Sequence, residues 1–358
     1  MHQEPSGVRI MAYTTIDDPS AHFHTQLYVG NESTNAITND ANAGDFQPDF
    51  WFGADRTGQS WNSVYDSTRG ATEQLNSNAA DLEYTQAAGL TSFDSDGFTL
   101  GSHDNSNGNS ENHVAWQWVA NGGSRTTNAE DGNNPAGGYQ ANTTAGFSIV
   151  DYVGTGGAGT KTHGLGAVPE VVIYKNRDRS AQWMVYHEDI GATKFVELST
   201  TAGESTDSAF DDTAPTSTVF SVGGSTNTCN ADGENLIAYC FKAIQGYSKF
   251  GSYTGNGDAD GTFVYTGFKP ALLIQKRTDS TGNWILTDNK RSPDNESHET
   301  LYANITNAEE GMGKDLLSNG FKCRTDDANI NADGGTYIYM AFAENPFVTS
   351  GGVPCTAR

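Results

Sequence analysis

The sequence predicts an all-β protein built as three tandem antiparallel β-sandwich units, jelly-roll-like, of about a hundred residues each. Three observations predict it. First, five landmarks recur in the same order three times. Second, the segment closing each set alternates large side chains on both faces of a strand. Third, Gly, Ser, Thr, Asn and Asp fill the intervals between apolar runs, the composition of many short strands joined by turns.

The landmarks begin with "YVGN" at Tyr28, "YVGT" at Tyr152 and "YTGN" at Tyr253. Pro48, Pro169 and Pro270 follow, opening "PDFWFG", "PEVVIYK" and "PALLIQK". Trp61, Trp183 and Trp284 come 13, 14 and 14 residues after those prolines. Phe98, Phe220 and Phe321 sit after polar turns, and "NHVAWQWVA", "NLIAYCFKA" and "TYIYMAFAE" close each set. A period this long is that of a small autonomous domain rather than a solenoid turn.

The expected organisation is an N-terminal arm over 1–22 and a first unit over 23–120. A Gly/Asn-rich linker or excursion follows over 121–145, then units at 146–246 and 247–347 and a tail over 348–358. The length of 121–145 suggests that unit one attaches while units two and three project. The short "IQGYSKFG" joint implies that units two and three pack tightly.

Within the strands, Leu236, Ala238 and Cys240 alternate with Ile237, Tyr239 and Phe241, and Tyr337, Tyr339 and Ala341 with Ile338, Met340 and Phe342. Large residues on both faces imply that both faces are covered. A proline opening each apolar run suits a strand's first residue, where no ladder donor is needed. Helical periodicity is weak, and the best short-helix candidates are "GATEQLNSNAADLE" and "TNAEEGMGKDLL". With 35% apolar but 11% aromatic residues, the cores must rest on Trp, Tyr and Phe.

Composition also narrows function. Forty-four acidic against 20 basic residues give a formal charge of −24, which repels nucleic acid and anionic membranes. The first twenty residues hold no apolar stretch like a secretory signal, no segment is long enough to insert in a bilayer, and Met11 is an alternative start. The four cysteines lack zinc-ligand or redox spacing, with Cys229 and Cys355 in polar surroundings, and read as thiols of a reducing cytoplasm.

Motifs that could carry chemistry have plainer readings. "GTGGAG" at Gly154–Gly159 matches G-x-G-x-x-G in letters, but no helix follows, so it reads as a hairpin turn and no cofactor is expected. "NGDADG", "DSDG" and two copies of "NADG" could offer oxygens to calcium, yet lack the full loop spacing and are preferred turn sequences. No nucleophile elbow stands near His187, whose equivalents are Asp66 and Asp288. The residues that could face a ligand are Trp183, Tyr186, His187 and Trp284, although the recurrence of Trp61, Trp183 and Trp284 in all three units fits core positions better than sugar-stacking platforms. No catalytic, cofactor or metal residue is expected.

"MAYTTIDDPSAHFHTQLYVGN", "GLTSFDSDGFTLGS", "ENLIAYCF", "GYSKFGSYTGNGDADGTFVYTGFKP" and "INADGGTYIYMAFAENPF" resemble a domain of unknown function carried by proteins of marine tailed bacteriophages, those of cyanobacteria and pelagic bacteria included. The likeness runs from about Met11 to Phe347. The resemblance implies a virion or tail-fibre protein without a defined activity, and it brings no catalytic residue. It implies synthesis in a host cytoplasm and display on the virion surface. The partners it suggests are other virion proteins, further copies of the chain (a trimer by analogy with phage fibres) and, as an alternative, a host surface glycan. A capsid decoration or head-fibre role is the nearest alternative to a tail fibre.

Overall fold

The computed structural model describes residues 12–224 and 228–355; the alternative start at Met11 lies outside them. Strands take up 44% of the chain and helices 2%, so the all-β class holds.

Block one carries β1 (Phe23–Val29), β2 (Asn35–Ile37), β3 (Phe50–Asp55), β4 (Ser63–Asp66) and β5 (Gly70–Asn76). It continues through β6 (Tyr84–Thr85), β7 (Leu90–Asp94), β8 (Gly97–Leu100), the one-turn helix α1 (Asp104–Asn107) and β9 (Asn112–Trp118). Block two begins with β10 (Thr126–Asn128), β11 (Gly137–Asn142), β12 (Phe147–Val153), β13 (Gly159–Thr162) and β14 (Val171–Asn176). It ends with β15 (Met184–His187), β16 (Lys194–Glu197), β17 (Ser205–Thr206), β18 (Val219–Val222) and β19 (Asn235–Phe241). Block three comprises β20 (Ser248–Thr254), β21 (Phe263–Tyr265), β22 (Phe268–Arg277), β23 (Trp284–Asp288), β24 (Ser297–Tyr302), β25 (Glu310–Leu317), β26 (Gly320–Cys323) and β27 (Thr336–Pro346).

The main sheets share one order. Five neighbouring strands run β1-β9-β3-β4-β5 in block one, β12-β19-β14-β15-β16 in block two and β20-β27-β22-β23-β24 in block three. All pairings are antiparallel, and the closing strand of each block (β9, β19, β27) lies between the strand that ends in the Tyr-x-Gly motif (β1, β12, β20) and the proline-led one (β3, β14, β22). A smaller layer, β2-β8-β7, β13-β18 or β21-β26-β25, covers one face of each main sheet.

The other faces meet one another. Phe50, Trp116 and Trp118 of block one share a single core with Phe147, Tyr239 and Phe241 of block two and Leu272, Met340 and Phe342 of block three. Trp118, Phe241 and Phe342 hold the same register position on their closing strands. They touch pairwise, edge to face, with centroids 6.3, 5.3 and 5.9 Å apart. This is the favoured aromatic geometry, and it places three sheets around one axis. The alternation read in β19 and β27 falls out accordingly: Ile237, Tyr239 and Phe241 face the shared core, and Leu236, Ala238 and Cys240 the block's own.

The recurring Tyr-x-Gly explains itself here. Tyr28, Tyr152 and Tyr253 each meet the small-layer phenylalanine (Phe98, Phe220, Phe321) edge to face at 5.7, 6.1 and 5.8 Å. Each hydroxyl donates to a backbone carbonyl 77 or 78 residues on: Ser106, Cys229 or Ile330. The glycine two residues later lies against that same loop. A Cβ on Gly30, Gly154 or Gly255 would sit 2.1, 2.1 or 2.3 Å from the carbonyl oxygen of Gly108, Ala231 or Ala332. A buried asparagine completes the pin, the Oδ1 of Asn107, Asn230 and Asn331 each accepting a backbone N–H from the Tyr-x-Gly loop at 3.0 Å. The "NADG" stretches are therefore loops fastened by their asparagine, whose amide donates to loop oxygens. "GTGGAG" is a crossover from the main sheet to the small layer rather than a hairpin, since β12 and β13 do not pair.

Several expectations are corrected. "GATEQLNSNAADLE" and "TNAEEGMGKDLL" hold strands β5 and β25, not helices. Pro270 lies inside β22 at a bulge, while Pro48 and Pro169 stand two residues ahead of β3 and β14. Cys229 is buried in block two's own core, not in polar surroundings. Residues 121–145 contain β10 and β11, which widen block two's sheet beyond β12. Units two and three do not project from unit one, because all three blocks surround one core. The N-terminal arm is tied across the chain, with Tyr13 donating to Gly267 and Thr14 to Gln245 at 2.6 and 2.7 Å.

Gly154→Ala should destabilise the protein by about 1–3 kcal/mol, the usual range for overpacking against a backbone that cannot retreat. Gly311→Ala, where a Cβ meets nothing within 4 Å, should change little. Urea denaturation midpoints of the two variants check both.

Candidate functional site

The four residues that could have faced a ligand are all enclosed, and the core reading holds for Trp183 and Trp284. Trp183 and Trp284 lie in the shared core, Tyr186 in block two's own core and His187 between blocks two and three, none more than 3% exposed. Local geometry gives the reason: β15 and β23 are inner strands of their sheets, with the shared core on one face and the block's own core on the other. The polar atoms of Trp183, Trp284 and His187 serve the seams between blocks.

At the seam of blocks one and two, the Trp183 indole donates to the Asn76 carbonyl at 2.9 Å. At the seam of two and three, Trp284 donates to the Glu197 carbonyl at 2.8 Å. At the third seam Asn62, not Trp61, fills the place, donating to the Tyr302 carbonyl at 2.7 Å. Strand register shows why: Ser63 pairs with Asn76 as Met184 does with Glu197 and Ile285 with Tyr302, so Asn62 is the counterpart of the two tryptophans. Trp61 is one residue early and 42% exposed.

A backbone bond repeats beside each of these. The N–H groups of Glu83, Glu204 and Glu309 donate to the carbonyls of Arg177, Thr278 and Arg56 in the adjoining block, at 2.8, 2.7 and 3.0 Å. Buried Lys175 and Lys276 reach back to the Ala80 and Thr201 carbonyls, and burial pulls both ammonium groups down to about 8.

The charged groups divide unevenly. Asp66 is paired with Arg69 behind Tyr239, whose hydroxyl donates to Asp66 at 2.7 Å. Asp288 is likewise paired with Arg291 behind the Trp116 indole, at 3.1 Å. Glu83 and Glu309 then join Arg69 to Arg177 and Arg291 to Arg56 across the seams. Block two has His187 and Ile190 where the others have Asp and Arg. Burial brings the His187 imidazole down to about 4, against the pull of Asp189 and a contact with the Tyr339 carbonyl, so the ring is neutral at pH 7. These buried groups orient blocks and are unavailable to a substrate.

What remains open lies elsewhere. A polar cleft of about 720 Å³ on block three is lined by Lys269, Asn289, Asp294, Asn295 and Glu344, with Lys269 and Glu344 ion-paired at 2.6 Å. Phe263 and Tyr265 project from edge strand β21, 45% and 49% exposed. Among the described residues, one set of side chains converges as metal ligands would: Asp55 at the end of β3, Glu111, and His113 on β9, with ligand atoms within 4.8 Å of one another. Sequence reasoning missed it because Asp55 and His113 are 58 residues apart and meet only through the pairing of β3 with β9. No helix among the described residues is long and apolar enough to cross a membrane.

With three sandwiches around one aromatic core, the chain belongs to the family described as a domain of unknown function (DUF7483), matched over residues 18–346. No curated protein and no solved structure matches it.

His187 gives the seam a pH response. Its proton affinity is lower in the fold than in the unfolded chain, so the unfolded state takes up more protons between pH 6.5 and 4. Its contribution is complete above 6.5 and is lost as pH falls through that window, about 2 kcal/mol between pH 7 and 5. His187→Gln should flatten that part of the profile, read from denaturation midpoints at the two pH values.

Proposed function

We propose that the protein is a non-enzymatic structural protein of a bacteriophage virion, a component of a tail fibre or similar appendage. The observation that carries the reading is the closed ring of blocks. Aromatic contacts at the axis and a repeated backbone bond at each seam tie the three blocks together, so their relative motion is restricted by contacts on both sides. Such a ring suits a rigid module in an assembly, displayed on the particle after synthesis in the host cytoplasm. The phage setting rests on the sequence resemblance. The acidic surface, with its formal charge of −24, favours solubility and disfavours nucleic acid and membrane insertion as partners.

The proposed partners are other virion proteins and a homotrimer. The largest apolar surfaces are already covered inside one chain, so contacts between chains would be polar and small-patch in character. A capsid decoration or head-fibre role uses the same module at another attachment point. A second reading, a glycan-binding adhesin, is favoured by Phe263 and Tyr265: their half-exposed rings lie on one side of an edge strand, with Lys249 Nζ 5.4 Å from the Tyr265 ring centre. It no longer involves Trp183, Tyr186, His187 or Trp284.

Immunogold electron microscopy of purified virions, with an antibody against residues 146–347, is the decisive experiment. Label on tail appendages is expected; label spread over the head moves the protein to a decoration role, and no label on intact or disrupted particles overturns the virion reading. Static light scattering of the purified chain should give the mass of three chains, and the 38.2 kDa of one chain would remove the trimer.

A further inference from the structure

The three blocks treat one place differently: the turn after the proline-led strand, facing the start of the closing strand. Register makes Asp55, Asn176 and Arg277 counterparts, as it does His113, Leu236 and Tyr337. The turn is alike in blocks one and two. Asp55 Oδ1 accepts the N–H groups of Thr57 and Gly58 at 2.8 and 3.0 Å, and Asn176 Oδ1 those of Asp178 and Arg179 at 3.0 and 3.3 Å.

In block two the acidic side chain in this place is neutralised. Glu234 receives the Arg179 guanidinium, through Nε at 2.7 Å, and the Asn176 amide at 2.6 Å. In block three the cation is Arg277, paired with Asp279 at 2.9 Å, and the counterpart of Glu234 is Gly335. Block one keeps the acid, as Glu111, and gains a second, as Asp55, while Gly58 stands where Arg179 would be. Among the described residues, neither carboxylate is ion-paired with Lys or Arg; the one basic neighbour is His113, whose Nε2 lies 4.0 Å from Glu111 Oε2.

His113 is fully buried, and neither ring nitrogen makes a hydrogen bond of normal geometry. Burial holds the ring neutral, against the pull of Asp55 and the Gly108 backbone. A buried imidazole whose ring nitrogens find no partner at good hydrogen-bond geometry is a costly arrangement. Glu111 meets the same problem from the other side, its carboxyl pushed up by partial burial and then by Asp55. Two glycines leave the space open: a Cβ on Gly108 would sit 2.0 Å from Glu111 Oε2, and one on Gly58 2.3 Å from Asp55 Oδ2.

We propose that block one binds a divalent transition-metal ion through Asp55, Glu111 and His113, in the place that block two fills with the Arg179 guanidinium. An imidazole beside two carboxylates selects zinc or a similar ion over calcium and magnesium, which take oxygen ligands. The ion satisfies the unpartnered ring, separates the two carboxylates and fastens the loop carrying Glu111 to the end of β3. Asp55 is already oriented for this, its Oδ1 held by the turn and its Oδ2 accepting from Ser60 at 3.0 Å, with its carboxyl in hydrogen-bond reach of Glu111. Glu111, its side chain 39% exposed, gives the ion a way in.

The test uses zinc and the full purified chain. After dialysis against zinc, metal content by mass spectrometry should be about one ion per chain above that of His113→Leu, which installs block two's residue. The melting temperature should rise by roughly 3 °C at about a hundredfold excess over Kd, with no such rise for the variant. Should His113→Leu fail to fold, Glu111→Gln at the rim serves as the deficient variant. The triple variant D55N/G58R/H113L, which copies block two's set, should be as stable as the zinc-loaded protein and ignore zinc. Equal zinc retention and equal shifts in the native chain and the deficient variant would overturn the proposal, as would stabilisation by calcium but not by zinc.

Discussion

Everything in this fold depends on the contact of three closing strands at one axis. Trp118, Phe241 and Phe342 meet there edge to face, with the layer of Trp116, Tyr239 and Met340 next along the same strands. For three sheets to share one core, each must be apolar on the face toward the axis and apolar again under its own small layer. A sheet dry on both faces needs a large side chain at nearly every position of its central strand, which is what β9, β19 and β27 supply. A chain with few aliphatic residues meets that demand with rings, each removing a large area from water. The core is not filled to the last atom; a cavity of about 40 Å³ remains among Trp118, Trp183, Tyr239, Trp284 and Met340.

Closing the ring also brings strand ends and charged groups out of water, and the seams show how that is managed. Where a carboxylate is buried (Asp66, Asp288) an arginine three residues on is buried with it, and a further glutamate and arginine extend the network to the next block. Where the arginine is replaced by Ile190, the carboxylate is replaced too, by a neutral histidine. Removing one partner alone would leave a buried charge unpaired, at about 3–5 kcal/mol, so the two positions change together. The ion pairs thus join block one to each of the other two, while the aromatic contacts close the axis.

Much of the frame was legible because its parts obey local rules. Alternation in β19 and β27 separated their residues into two sets, both covered as expected, since a strand's side chains have no choice but period two. The Tyr-x-Gly and phenylalanine landmarks marked the sandwich clasp. Other parts were hidden by tertiary context. The stretches at β5 and β25 are polar enough to blur their alternation, and only pairing with β4 and β24 makes them strands. Matching residue type aligned Trp61 with Trp183 and Trp284, whereas register aligns Asn62 with them; the spacing from the proline, 13 residues against 14 and 14, already carried that offset of one. Trp183, Tyr186, His187 and Trp284 looked like a ligand surface because aromatic and polar residues cluster there, yet the ring closes over them. Asp55, Glu111 and His113 were invisible, being joined only by strand pairing.

A repeated architecture inside one chain separates scaffold from specialisation. What all three blocks hold in common, namely the tyrosine, the glycine and the asparagine pin, the clasp phenylalanine and the seam backbone bond, is accounted for by folding alone. What differs is not demanded by the fold, because a sister block closes without it. Block two needs no second carboxylate beside Glu234, and block three needs no acid there at all, so the pair of acids with a buried imidazole in block one requires a separate cause. The same reasoning applies to the exposed rings of β21 and the polar cleft, both confined to block three. Each block serves as an internal control for the other two, and the departures from the shared frame are where chemistry particular to this protein is to be sought.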